Sequence, residues 1–215
     1  MSAGCDDCCA APTSGEIDKP FRRALWIALV LNGAMFAVEL YSSFLGRSVA
    51  LQADAMDFLA DAANYSISLF VLGMSLRAKA MAAFIKAGTM SLFGLWVLGM
   101  ALYRVLQGGV PEPFIMGPVA LLALSVNVGV ALLLFAHREG DANRQSIWLC
   151  SRNDAIANIA VFAAAGLVWT TGQGWPDILV AVLIAALGLS AAWRVIRQAK
   201  GEWREGASPA PHPLV

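Results

Sequence analysis

The sequence predicts an all-α, polytopic integral membrane protein with six transmembrane helices and both termini in the cytoplasm. Three observations lead there. Of 215 residues, 59% are apolar and only 14% are charged, against about 25% charged in an ordinary soluble domain. The mean hydropathy is +0.65. Six long apolar stretches follow one another, each near the roughly 20 residues that a membrane-spanning helix needs. Finally, the basic residues fall on alternate sides of those stretches, as cytoplasmic loops require. The same figures exclude a disordered chain, a disulfide scaffold and, with fifteen basic and fifteen acidic residues balancing, a nucleic-acid binder.

The elements follow in order. Residues 1–21 are a polar N-tail with no apolar core of a signal peptide. Residues 22–198 form the transmembrane domain, with spans expected at 22–45, 50–75, 80–106, 113–137, 147–171 and 176–198. Helix breakers or charges separate them: Gly46-Arg47, Arg77-Ala78-Lys79, Gly108 to Pro111, His137 to Asp141, and Gly172 to Pro176. Residues 199–215 are Pro-rich and expected to be a disordered C-tail.

Sidedness follows from the basic residues. Lys19, Arg22 and Arg23 flank the first span. Arg77, Lys79 and Lys86 mark the second connection, Arg138 and Arg144 the fourth. Arg194, Arg197, Lys200 and Arg204 close the sixth. These twelve share one side, whereas Arg47 and Arg104 fall on the other. Small residues in the third span (Gly88, Gly94, Gly99) and the sixth (Ala181, Ala185, Gly188) let helices approach closely. They suit generic packing or a homodimer face equally.

Polar residues inside the spans carry the function, because lipid makes them costly. They concentrate in three segments: Asn32 and Glu39 in the first; Asp54, Asp57, Asp61 and Asn64 in the second; Cys150, Arg152, Asn153, Asp154 and Asn158 in the fifth. Asp57 and Asp61 stand four residues apart, as do Cys150 and Asp154. Each pair therefore lies on one helix face, separated by about 6 Å along the axis. Cys150 sits about 13 Å past Asp141 and Asp61 about 16 Å past Ala50, near the middle of a hydrocarbon core of about 30 Å. Four facing side chains, three carboxylates and a thiol, suit one small cation in the tetrahedral arrangement zinc prefers. The competing reading makes these groups structural glue around Arg152, but one arginine cannot neutralise five acids.

These residues resemble a known family. The stretch Gly46 to Asp61, reading GRSVALQADAMDFLAD, is similar to the second-helix signature of the cation diffusion facilitators. Cys150-Ser151-Arg152-Asn153-Asp154-Ala155 is similar to their fifth-helix motif, in which the first position is usually His. Asn32, Glu39 and Asp177 also fit, and the resemblance covers residues 22–198. It implies a metal/proton antiporter that exports Zn²⁺ or a similar divalent ion across the cytoplasmic membrane, usually as a homodimer. It also implies that Asp57, Asp61, Cys150 and Asp154 form the transport site. The only metal is the transported ion, with no permanent cofactor. The partners are the bilayer, metal and protons. Two departures stand out. Only fifteen residues follow Lys200, so the family's cytoplasmic C-terminal domain is expected to be absent and any dimer to form through the helices. Cys150 in place of His favours softer ions if it is a ligand; otherwise it is a small buried hydrophobe.

The remaining polar residues support this site in less defined ways. Arg152 points away from Cys150 and Asp154, and either pairs with Glu39 or Asp54 or snorkels to the interface. Asp54 is either an exit-side carboxylate or a structural cap. Asn64 and Asn158 read as inter-helix hydrogen bonders along the polar or proton pathway. Cys5, Cys8 and Cys9, with Asp6 and Asp7, are either a soft-metal capture cluster or an incidental tail. An enzyme is not expected: no Gly-x-Ser-x-Gly string is present. A soft-metal (for example mercuric) importer and a non-transporting metal sensor are the alternatives.

Overall fold

A computed structural model describes residues 19–70, 76–136 and 142–205, with side chains omitted at 76, 77, 79, 142–153, 202 and 205. Among the described residues there are six helices and no strand: α1 (Lys19–Leu45), α2 (Val49–Phe70), α3 (Leu76–Gln107), α4 (Pro113–Phe135), α5 (Ala142–Thr171) and α6 (Trp175–Glu205). All but α2 are long and apolar enough to cross a membrane by length and composition. Large apolar side chains such as Leu92, Leu106, Phe114 and Trp169 stand exposed around the outside. That surface suits lipid, which is as apolar as the side chains themselves.

The helix ends have local causes. Pro20 lies in the first turn of α1, where its missing N–H is no loss. α4 opens on extended Glu112 followed by Pro113. α6 runs to Glu205, beyond the expected end at 198, so the first seven residues of the expected C-tail are helical. Gly201 costs only about 1 kcal/mol there. Lys200 and Arg204 complement the helix C-terminus, and Trp203 packs edge-on against Phe84 of α3. α5 likewise starts five residues before its expected boundary, at Ala142. The N-tail and residues 71–75, 137–141 and 206–215 lie outside the described residues.

The bundle is built from close helix pairs, α1 with α2, α3 with α6 and α4 with α5, and α2 runs through the middle. Residues Val49 to Met56 are buried without a break. Eight consecutive buried positions cover every side of a helix, so this half of α2 has no lipid-facing stripe. Alanine makes the approach possible: Ala50, Ala53, Ala101, Ala120, Ala164, Ala165, Ala181 and Ala185 share one core cluster around Leu51 and Val97.

One end of the bundle is tied together. Ser48 caps α2 by accepting a hydrogen bond from Leu51 N–H at 3.0 Å. Asp177, the third residue of α6, reaches across to the same helix start. Its Oδ1 accepts from Ser48 Oγ at 2.6 Å and Ala50 N–H at 3.1 Å, and its Oδ2 accepts from Val49 N–H at 2.8 Å. A carboxylate at a helix N-terminus also meets the positive end of the dipole. The neighbouring loops join in, with Glu112 N–H donating to Gly46 O at 2.8 Å.

Candidate metal centre

α2 supplies three carboxylates to the bundle interior. Asp54 is fully buried, Asp61 is buried and Asp57 is half-buried. Asp57 feels both of its neighbours on the helix as like charges. α5 crosses α2 at this level. The carboxyl groups of Asp61 and Asp154 lie within hydrogen-bonding reach of each other. Two carboxyl groups bond only through a proton or a cation held between them, since neither oxygen alone can donate. Tyr65 adds a donor from one turn further along α2, its hydroxyl reaching Asp61 Oδ2 at 3.3 Å.

Four residues on, Asn158 of α5 reaches back to α2. Its Nδ2 donates to Asp54 Oδ1 at 2.9 Å and to the backbone oxygen of Asp154 at 3.1 Å. Glu39 approaches from α1, fully buried, with its carboxyl group beside that of Asp54 as a like charge. Neither oxygen of Glu39 has a hydrogen-bonding partner. Asn64 turns to α3 instead, where Lys86 Nζ donates to its Oδ1.

Lys86 sits inside the bundle and not at the loop flank that its place in the sequence suggests. Its side chain is buried, and its ammonium acts on Asp61 as a favourable opposite charge. In the expected span it lies only six residues from the start, about 9 Å; in the observed helix, which begins at Leu76, it lies ten residues in, about 15 Å. The polarity of helices 1, 2 and 5 is thus completed by a cation from α3.

The expected ligands divide accordingly. Asp61 and Asp154 meet, and Asp57 sits on the same helix between Asp54 and Asp61. The side chains of Cys150 and Arg152, and Cys5, Cys8 and Cys9 in the N-tail, lie outside the described residues. So does the expected ion pair of Arg152 with Glu39 or Asp54. Among the described residues, no three His, Cys, Asp or Glu side chains gather closely enough to hold a metal ion; the fourth expected ligand, Cys150, is not among them.

Comparison with known proteins adds a separate line of support. Residues 25–201 match the family of the cation efflux transmembrane domain. The chain belongs to the cation efflux family. The zinc transporter ZitB of Escherichia coli strain K12 is 29% identical over 206 residues, covering 88% of this chain and 64% of that protein. The metal cation efflux system protein CzcD of Cupriavidus metallidurans is 27% identical over 198 residues, covering 86% and 62%. A cadmium, cobalt and zinc/H(+)-K(+) antiporter of Bacillus subtilis is 22% identical over 190 residues, covering 82% and 61%. The chain therefore spans somewhat less than two thirds of the length of these cation efflux relatives.

Proposed function

We propose that this protein exports a divalent transition-metal ion, Zn²⁺ or a similar ion such as Cd²⁺, across the cytoplasmic membrane in exchange for protons. Asp57 and Asp61 of α2 and Cys150 and Asp154 of α5 bind the ion. The meeting of the Asp61 and Asp154 carboxyl groups inside the bundle carries this reading. Two buried acids at one point are costly in lipid unless a cation or proton joins them. The relatives' names support the metal class.

Metal ligands bind in their deprotonated form, so an arriving metal expels protons, and protons arriving from the other side expel the metal. Alternating exposure of one site then couples the two flows. Cys150 biases the site toward softer ions. Without the buried Lys86, eleven basic residues on one side still support both termini in the cytoplasm. Cys5, Cys8 and Cys9 capture metal there, and the helices form the contact surface of a homodimer.

Inverted membrane vesicles loaded under a proton gradient test the proposal. Wild-type protein takes up ⁶⁵Zn²⁺, and uptake collapses when the gradient is dissipated. Asp57→Ala and Asp154→Ala proteins lose at least about 90% of that flux, as loss of a metal ligand typically costs tenfold or more. Unchanged uptake in both variants would sink the assignment.

A further inference from the structure

The proposed transport site leaves a second group of buried acids unused. Glu39 and Asp54 are each fully buried, and their carboxyl groups face one another. Glu39 Oε1, Glu39 Oε2 and Asp54 Oδ2 have no hydrogen-bonding partner. The remaining oxygen, Asp54 Oδ1, takes only the amide of Asn158. Asn158 is itself 1% exposed, and its Oδ1 is unpartnered. An amide with one end fixed on a carboxylate and a free carbonyl beside it is a ligand already oriented, as supporting hydrogen bonds orient ligands in metal sites.

The helix register gives this group a place. Asp54 precedes Asp57 by three residues, about 4.5 Å along α2; Asn158 follows Asp154 by four, about 6 Å along α5. α2 and α5 are antiparallel, so both steps run toward the end of the bundle capped by Asp177. The Asp61–Asp154 contact is thus followed by an Asp54–Asn158 contact, seven residues (about 10.5 Å) away along α2 and four (about 6 Å) along α5, with Glu39 completing it from α1.

We propose that Glu39, Asp54 and Asn158 form a second cation site, between one and two helical turns from the first, that takes the exported divalent metal as its next stop. This rests on the proposed transport direction for its order, but its binding is independent of it. Two carboxylates balance one divalent charge. The donors are all oxygen, so this site holds the ion less selectively for soft metals than a site with a thiolate. The register separates the two sites by more than the spacing of about 3.5–4 Å at which paired sites already hold two metal ions, so both are filled together at saturation.

Co²⁺ is the probe, because thiolate and oxygen ligands give it different spectra. The full chain is used in lipid nanodiscs, with Cys5, Cys8 and Cys9 changed to Ser to silence the tail. That protein binds about two Co²⁺ per chain, one with a sulfur-to-metal charge-transfer band and one with only the weak bands of oxygen ligation. Glu39→Gln keeps the charge-transfer band and drops binding to about one. Replacing Asp57, Asp61 and Asp154 with Asn and Cys150 with Ser leaves about one oxygen-ligated Co²⁺. Binding of about one Co²⁺ from the start, or of two in Glu39→Gln, overturns the second site, including the case in which a shared proton alone occupies it. ⁶⁵Zn²⁺ flux in Asp57→Ala vesicles reports on the transport reading separately, and either result is possible without the other.

Discussion

Lys86 sets the electrostatic balance of the candidate centre. Its ammonium is buried in α3, hydrogen-bonded to Asn64 and close enough to act on Asp61. It is a tethered cation beside a site meant for a mobile one. Two charges several ångström apart in a protein interior still interact by about 1–2 kcal/mol. Lys86→Met removes that competitor and is expected to tighten Zn²⁺ binding by about tenfold, or about 1.4 kcal/mol, read by calorimetric titration in detergent. Lys86→Arg keeps wild-type affinity. Weaker binding in Lys86→Met would make the lysine a structural tie instead. At this scale the sequence was partly legible. The spacing of Asp57, Asp61 and Asp154 marked them before any fold was known, because carboxylates at helical intervals inside an apolar span have few innocent explanations. Lys86 stayed hidden because one basic residue near a span's end looks the same whether it points to solvent or inward. Only the packing of α3 against its neighbours decides that.

At the scale of elements, the cap from Asp177 joins α6 to the first turn of α2 by three hydrogen bonds. The shared carboxylate satisfies amides that would otherwise be orphaned in a buried helix start. Asp177→Ala is expected to lower stability by about 1–3 kcal/mol. It should also speed hydrogen exchange at residues 49–51, measured by mass spectrometry. Thermal unfolding in detergent gives the first quantity. Exchange rates equal to wild type would show that water replaces the carboxylate without loss. The helices themselves were readable from apolar runs and from breakers such as Gly108 and Pro111. Their ends were not: α6 passes Gly201 and α5 starts at Ala142, since a single glycine or a short polar stretch does not stop a helix that has packing on one side. The role of Asp177 needed the fold, because its partners lie 127 to 129 residues away in sequence.

For the whole molecule, the central position of α2 was implicit in its composition. A helix with Asp54, Asp57 and Asp61 cannot face lipid, so the others must surround it. Which helices do so was not readable, because α1, α3, α4, α5 and α6 are all apolar enough to exchange places. The centrality of α2 has a consequence for how the protein is made. Three aspartates each cost about 2.5–3.5 kcal/mol at the middle of a span on the insertion scale, roughly 7–10 kcal/mol together. α2 is therefore a poor client of the insertion machinery by itself. In a glycosylation-mapping assay, the 22 residues of α2 placed between host domains stay outside the membrane, whereas the α1–α2 hairpin enters. Efficient entry of α2 alone would contradict this. α1 leaves the ribosome first and packs extensively on α2, so it is the escort that arrives in time. α5, which brings Asp154 and Asn158 to the same acids, emerges more than 90 residues later. Through that interval the acids of α2 wait in the membrane without their partners from α5, so substitutions that weaken the α1–α2 pairing will be felt first in the yield of inserted protein.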